Sequence, residues 1–144
     1  MFLLDTNVLS ELRRRDRTHR KVAVWADRVP AFELFLSAIT ILEVEAGTLS
    51  VLGRDPAQGT VLRNWIDEKV LPAFKGRILP VDTVVAQRCA ALHVPAARAE
   101  RDALIAATAL VHGLKVVTRN VADFEPMGVA MLNPWEWVAG RSKR

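Results

Sequence analysis

The chain opens with a short apolar run that changes abruptly into a polar turn and then into a helical pattern. Residues 2–4 are Phe-Leu-Leu, residues 5–7 are Asp-Thr-Asn, and Val8 and Leu12 follow at helical spacing. This order predicts a buried strand, a turn and a helix. In an open α/β sheet, ligands bind beyond the carboxyl ends of the strands, which is where we expect Asp5 to lie.

The rest of the chain alternates short apolar runs with apolar residues at helical spacing. The apolar runs predict four further strands, at residues 32–37, 77–81, 115–118 and 129–132. The helical stripes predict helices that end at Pro30, at Pro72, near Pro95 and at Gly113. Asp55-Pro56 and Asp82 are suitable N-terminal caps for two of these helices. The stretch from Thr40 to Glu43 has the S/T-x-x-E form of a capping box, which predicts a helix that begins at Thr40.

Strands that alternate with helices indicate the fold class. Such alternation is typical of βαβ units, so the sequence predicts an α/β fold with a mainly parallel central sheet. Helices on both faces of that sheet would give three layers, α/β/α. The chain contains no internal repeat, low-complexity segment or linker. We therefore expect residues 1–144 to form one domain, with residues 136–144 as a frayed basic tail.

Composition narrows the class of protein only a little. Of the 144 residues, 51% are hydrophobic and 25% are charged, which is ordinary for a globular domain. The single cysteine, Cys89, excludes an intrachain disulfide, and the apolar stretches are too short to span a bilayer. Asp5 interrupts the first apolar run, which argues against a secretory signal there. We expect a soluble, cytoplasmic protein.

The charge is unevenly placed along the chain. The formal net charge is +4, and six of the nine residues from 13 to 21 are Lys or Arg. This cluster makes Arg13, Arg14, Arg15 and Arg17 candidate contacts for nucleic-acid phosphates. A solvated basic surface explains the same residues equally well.

Four acidic residues stand out because each follows a predicted strand or begins a predicted helix: Asp5, Glu43, Asp102 and Asp123. Each also has a purely structural explanation. Asp5 and Asp123 can cap the turns that follow them, Glu43 can complete the capping box, and Asp102 is a favourable charge in the first turn of a helix.

Considered together, the four acidic residues predict a metal site. Carboxylates crowded in one crevice repel one another, and Mg²⁺ or Mn²⁺ relieves that repulsion through carboxylate and water oxygens. Such a site can activate water for attack on a phosphodiester. The sequence has no GxxxxGK[ST] loop and no Cys/His pattern typical of zinc. The histidines, His19, His93 and His112, are scattered, and we assign them no catalytic role.

Several segments resemble the motifs of a known family, the PIN domain. They are LLDTNVLSE at residues 3–11, LSAIT at residues 36–40 with Glu43, DALIAATA at residues 102–109 and VTRNVADF at residues 117–124. More narrowly, the chain is similar to the VapC toxins of bacterial toxin–antitoxin pairs, in the subgroup that includes FitB. The closing LNPW at residues 132–135 also fits that subgroup. The motifs occur in the expected order over nearly the whole chain.

The resemblance implies an activity and a set of active-site acids. It implies a Mg²⁺- or Mn²⁺-dependent endoribonuclease toxin that is held inactive by a cognate VapB-type antitoxin. In this chain Asp5 and Asp102 would be the principal metal ligands, with Glu43 as the third acidic member. Either Asn120 or Asp123 would fill the fourth position.

The resemblance also implies supporting groups and an assembly. Thr6, Asn7, Thr118 and Asn120 would orient the carboxylates or water molecules. Proteins of this kind form homodimers, and several copies can join with antitoxins in a larger complex.

One segment departs from the family pattern, and one alternative function remains open. Residues 92–101 are brief and contain Pro95, whereas many relatives have a longer segment there. The alternative is a catalytically silent module of the same fold that binds RNA or an antitoxin. The presence of Asp5, Glu43 and Asp102 argues against it, because a binding module has no need of a costly carboxylate cluster.

Overall fold

The computed structural model describes residues 1–140. Its strands are β1 (Phe2–Leu4), β2 (Leu34–Ser37), β3 (Ile78–Leu79), β4 (Lys115–Val117) and β5 (Met131–Leu132). Its α-helices are α1 (Thr6–Glu11), α2 (Arg20–Arg28), α3 (Ala38–Arg54), α4 (Pro56–Trp65), α5 (Leu71–Ala73), α6 (Thr83–Leu92), α7 (Glu100–His112) and α8 (Val121–Phe124). A π-helical turn, Ile66–Val70, joins α4 to α5.

The strands form one five-stranded sheet in the order β3-β2-β1-β4-β5, and every neighbouring pair is parallel. The prediction of a mainly parallel sheet is therefore confirmed. The central strand is β1, which pairs with β2 on one side and with β4 on the other. Asp5 directly follows β1 and Thr118 directly follows β4, so both lie at the carboxyl edge of the sheet.

Helices cover both faces of the sheet, which confirms the expected α/β/α layers. Alternate residues of a strand point to opposite faces. Leu3 and Val116 accordingly pack in one core with residues of α6 and α7. Leu4 and Val117 pack in a second core, with Trp25 of α2 and with other residues of α1 to α4.

Several predicted helix ends are confirmed by their capping contacts. The Asp55 carboxylate accepts the Gln58 amide at 3.2 Å at the start of α4. The Asp82 carboxylate accepts the Val85 amide at 2.9 Å at the start of α6. Gly113 ends α7 with a φ of 68°, a left-handed conformation that glycine adopts without strain.

The predicted capping box is wrong. Ser37 caps α3 instead, because its hydroxyl accepts the amide of Ile39 at 3.0 Å and the helix already begins at Ala38. Thr40 is consequently buried inside the first turn of α3. Glu43 is therefore free of any capping role, and its side chain has other partners.

The end of the described chain differs from the expected frayed tail. Pro134–Glu136 form a 3-10 turn, and Trp137 packs against the second core. The predicted tail of residues 136–144 therefore begins too early, because Trp137 has apolar surface to bury. Residues 141–144 lie outside the described part of the chain. Among residues 1–140, no helix has the length and apolar character needed to cross a membrane.

Candidate active site

Asp5 is a buried carboxylate whose two oxygens are held by neighbouring donors. It is 5% exposed, and its Oδ1 accepts the amide of Thr6 at 2.8 Å. Its Oδ2 accepts the Thr118 hydroxyl at 2.8 Å and the Asn7 side-chain amide at 3.3 Å. The Thr118 hydroxyl in turn accepts the amide of Asn120 at 2.9 Å. These contacts fix the orientation of the Asp5 carboxylate at the edge of the sheet.

Glu43 reaches the same edge from α3. The hydroxyl of Thr6 donates a hydrogen bond to Oε1 of Glu43 and lies 3.3 Å from the hydroxyl of Thr40. Thr6 thus links Asp5, through its amide, to Glu43, through its hydroxyl. One residue at the start of α1 therefore sets the relative positions of two carboxylates.

Asp102 and Asp123 complete a group of four carboxylates. Asp102 lies in the first turn of α7, and Asp123 lies in α8. Burial raises the pKa of Asp102, and the charges of Asp5, Asp123 and Glu43 raise it further. The charges of three acidic side chains from other elements therefore act on Asp102.

The pKa of Asp5 is also raised, in spite of its hydrogen bonds. Burial is the largest cause, and the charges of Glu43 and Asp123 add to it. The hydrogen bonds from Thr118 and Thr6 act in the opposite direction, because they stabilise the carboxylate. The balance is a site that disfavours its own negative charge.

Little positive charge compensates this acidic cluster, which we define as Asp5, Glu43, Asp102 and Asp123. Within residues 1–140, the one Lys or Arg group in ion-pair distance of it is Arg101, whose Nη1 lies 3.8 Å from Oε2 of Glu43. A carboxylate cluster of this kind fits a hard divalent cation, which prefers oxygen ligands. Asp5 and Asp102 are the members whose pKa values rise, so they have the most to gain from a cation.

The family model of the PIN domain matches residues 2–125. This chain belongs to the PIN-domain family.

Individual relatives match over nearly the full length of this PIN domain. "VapC ribonuclease Y4jK" of Sinorhizobium fredii is 38% identical over 143 residues, which cover 94% of this chain and 99% of the relative. "Toxin FitB" of Neisseria gonorrhoeae is 40% identical over 140 residues, which cover 94% and 99%.

Solved structures match as well. The crystal structure of FitAcB from Neisseria gonorrhoeae has a TM-score of 0.87 at 37% identity, with 95% of this chain and 100% of that chain covered. A toxin–antitoxin complex from Klebsiella pneumoniae has a TM-score of 0.68 at 27% identity, with 95% and 100% covered. The chain is thus a PIN domain of the VapC and FitB type.

The structure does not bring the predicted RNA-binding arginines to the acidic cluster of this PIN domain. Arg13, Arg14, Arg15 and Arg17 follow the far end of α1, a helix of six residues that is about 9 Å long. Two of them are neutralised, since Arg14 lies 3.6 Å from Asp16 and Arg15 forms an ion pair with Asp27. Their contact with RNA phosphates stays a prediction.

Two other arginines lie beside the acidic cluster, and neither was predicted from the sequence. Arg101 precedes Asp102 and approaches Glu43. Arg119 follows Thr118, its amide donates to the Asn7 side chain at 3.4 Å, and its guanidinium lies 5.0 Å from the ring centre of Trp135. Their positions in the sequence motifs, directly next to predicted site residues, could have indicated these two arginines.

A second group of polar side chains lies away from the acidic cluster and was also missed. Cys89 of α6, His93 directly after that helix and Glu100 of α7 place a thiol, an imidazole nitrogen and a carboxylate oxygen within 4.8 Å of one another. Burial and the nearby Glu100 raise the pKa of the Cys89 thiol, so in this environment the thiol is neutral at pH 7. The spacing of Cys89 and His93, four residues apart on a predicted helix, was the available signal.

Proposed function

We propose that this PIN domain is a Mg²⁺- or Mn²⁺-dependent endoribonuclease that acts as the toxin of a toxin–antitoxin pair. The observation that carries the proposal is the acidic cluster itself. The pKa values of Asp5 and Asp102 are raised by burial and by the charges of the other carboxylates of the cluster. Repulsion of this kind destabilises a fold unless a bound cation relieves it. Because perturbed pKa values are typical of functional sites, we assign the cluster a functional role.

We assign the metal ligands to Asp5 and Asp102, with Glu43 and Asp123 as the further acidic members. A divalent cation held there supplies activation of water and neutralises charge on a phosphodiester. For the fourth position we prefer Asp123 to Asn120, because the charge of Asp123 raises the pKa of both proposed ligands. Asn120 contributes through its backbone amide, which holds the Thr118 hydroxyl.

The chain's own groups then have separate tasks. Thr6, Asn7 and Thr118 hold the carboxylates of Asp5 and Glu43 in fixed orientations before substrate binds. Because of these contacts the carboxylates need not reorient when substrate binds, whereas free carboxylates would. We propose these three residues as orienting groups rather than as ligands.

We assign the nearest phosphate contacts to Arg101 and Arg119. Both are exposed, and each is the neighbour in sequence of a proposed site residue. The stack on Trp135 restricts the guanidinium of Arg119 and leaves its edge available for a phosphate. Arg13 and Arg17 remain proposed contacts for RNA that extends beyond the cleavage site.

We further propose a cognate VapB-type antitoxin as partner and a homodimer as the basic assembly. The support is the similarity to toxin FitB and to a solved toxin–antitoxin complex, each matched over nearly the full chain. A larger complex of toxin and antitoxin copies is part of the same proposal.

The test is cleavage of a total cellular RNA pool by the wild-type protein and by Asp5→Ala. Each protein is incubated with Mg²⁺, with Mn²⁺ and with a chelator. We expect cleavage by the wild type with either metal, none with the chelator, and none by Asp5→Ala under any condition. Circular dichroism checks that the variant is folded.

The outcomes distinguish the proposal from the alternative function. Cleavage that persists in the chelator would contradict metal dependence, and cleavage by folded Asp5→Ala would contradict the assigned site. If the wild type binds the RNA pool but cleaves none of it with either metal, the chain is the catalytically silent module.

A further inference from the structure

The group formed by Cys89, His93 and Glu100 has the dimensions of a metal site. The Cys89 sulfur lies 3.8 Å from Nε2 of His93 and 3.7 Å from Oε2 of Glu100. Nε2 of His93 lies 3.6 Å from Oε2 of Glu100. The three ligand atoms therefore form a nearly equilateral triangle.

A tetrahedral zinc ion requires such a triangle. Zinc binds thiolate sulfur at about 2.3 Å, imidazole nitrogen at about 2.0–2.1 Å and carboxylate oxygen at about 2.0–2.2 Å. Ligand atoms at tetrahedral angles are then about 3.4–3.6 Å apart. The observed separations of 3.6–3.8 Å exceed this by a few tenths of an ångström, which small side-chain movements remove. We propose that Cys89, His93 and Glu100 bind Zn²⁺, separately from the acidic cluster.

The chemistry of the three ligands distinguishes this site from the acidic cluster. Thiolate and imidazole favour zinc, whereas a set of carboxylates favours Mg²⁺ or Mn²⁺. Cys89 is buried, while the Glu100 side chain is 70% exposed. The fourth ligand of the zinc ion is then a water molecule on the exposed side of Glu100.

Proton positions define what must change when zinc binds. Nδ1 of His93 accepts the amide of Arg98 at 3.0 Å, so the neutral ring carries its proton on Nε2, which faces Cys89 and Glu100. Zinc takes the place of that proton, and Nδ1 is protonated instead. The thiol proton of Cys89 passes to solvent. The Arg98 amide must then turn away from His93, which involves only residues 94–99, a segment without helix or strand.

The proposed ion would join two helices at a point that matters for the acidic cluster. Cys89 and His93 lie at the end of α6, while Glu100 and Asp102 share the first turn of α7. Zinc would therefore fix the start of the helix that carries Asp102.

Cobalt is the probe that tests the site, because a thiolate bound to Co²⁺ gives a charge-transfer band in the near ultraviolet. Cys89 is the single cysteine of the chain, so any such band reports on this site alone. Co²⁺ is titrated into metal-free protein in the presence of excess Mg²⁺, which occupies the acidic cluster. We expect the band to saturate at one Co²⁺ per chain and to disappear when Zn²⁺ is added.

Variants identify the ligands. Cys89→Ser removes the band, and His93→Gln and Glu100→Gln each weaken Co²⁺ binding by more than about tenfold, because each removes one ligand. His112→Gln, at the exposed end of α7, is the matched control and leaves binding unchanged.

Three results would overturn the proposal. They are a folded wild-type protein with no band at saturating Co²⁺, a band that Zn²⁺ does not displace, and a band unaffected by His93→Gln and Glu100→Gln. If Cys89→Ser fails to fold, the exposed Glu100 still provides a decisive variant. None of these measurements depends on cleavage of RNA, so they are independent of the proposed ribonuclease activity.

Discussion

Glu43 and Glu45 lie two residues apart on α3. Glu45 belongs to a group of paired opposite charges, whereas Glu43 belongs to a group of like charges. Glu45 receives two hydrogen bonds from the Arg63 guanidinium, at 2.7 and 2.8 Å, and the same guanidinium binds Asp67. Glu43 belongs to the acidic cluster, where its charge acts on Asp5 and Asp102. The Arg63 hydrogen bonds lower the pKa of Glu45, whereas burial and neighbouring charges raise the pKa values of Asp5 and Asp102.

The group of Arg63, Glu45 and Asp67 stabilises this fold, whereas the acidic cluster destabilises it. The Arg63 group joins α3 to α4 and to the π-helical turn, and each of its charges has a partner. The acidic cluster joins β1, α3, α7 and α8, and it keeps like charges together. Cooperative packing in the two cores must therefore offset the repulsion in the cluster. Substitutions in the two groups should therefore shift stability in opposite directions, and only those in the acidic cluster should lower activity.

The largest expected effect is that of Asp5→Asn. We expect RNA cleavage to fall by more than about 100-fold. Loss of a group that only supports a metal ligand costs up to about 100-fold, and Asp5 is itself a proposed ligand. In the presence of a chelator we expect the variant to unfold at a higher temperature than the wild type, because a buried, repelled charge has been removed. The measurements are cleavage of the RNA pool and thermal unfolding followed by circular dichroism.

Glu45→Gln is the matched control for that substitution, since it also replaces a carboxylate by an amide. We expect it to leave cleavage unchanged and to lower the unfolding temperature, because the Arg63 guanidinium loses a charged partner. If Asp5→Asn proves less stable than the wild type in the chelator, the hydrogen bonds of Asp5 outweigh its repulsion and the comparison fails.

A smaller effect is expected for Thr6→Val. The substitution keeps the size of the side chain and removes the hydroxyl that donates to Glu43. We expect cleavage to fall by about 10–100-fold, the usual range for a group that orients a ligand. Thr60→Val is the control, because the Thr60 hydroxyl is exposed and donates to the carbonyl oxygen of Pro56 within α4. Equal activity of Thr6→Val and wild type would remove Thr6 from the site.

The sequence was sufficient to predict those features that depend on local order along the chain. Asp5 follows an apolar strand and Asp102 begins an apolar helix, and the structure brings them close enough for the charge of Asp5 to act on Asp102. The caps at Asp55 and Asp82 depend on contacts over three residues and were predicted correctly.

Features that depend on competition between capping residues, or on contacts between residues far apart in sequence, could not be predicted from local patterns. Two hydroxyl residues, Ser37 and Thr40, compete to cap α3, and the extended β2 places Ser37 first. Glu43 thereby faces Thr6, which is 37 positions away in sequence. The group of Cys89, His93 and Glu100 depends on the path of residues 94–99, which has no periodic pattern from which a turn could be inferred.

The smallest expected effect is on the pH dependence of stability, and it has opposite signs in the two groups. The folded pKa values of Asp5 and Asp102 exceed the unfolded value of 3.8, so these groups destabilise the fold at neutral pH. That penalty disappears as the pH falls through the raised pKa values. The folded pKa of Glu45 lies below its unfolded value of 4.5, so its stabilisation is present above that value and is lost at lower pH.

Urea unfolding of the wild type, Asp5→Asn and Glu45→Gln in a chelator, from about pH 7 to about pH 3, measures both trends. We expect the advantage of Asp5→Asn over the wild type to shrink as the pH falls toward 3.8 from above. The advantage of the wild type over Glu45→Gln should shrink only below 4.5. The Glu45 difference should be modest, because Glu45 is partly exposed and solvent screens its charge. An advantage of Asp5→Asn that grows with acid would mean that Asp5 is stabilised as a carboxylate, and the repulsion assigned to the cluster would then be absent.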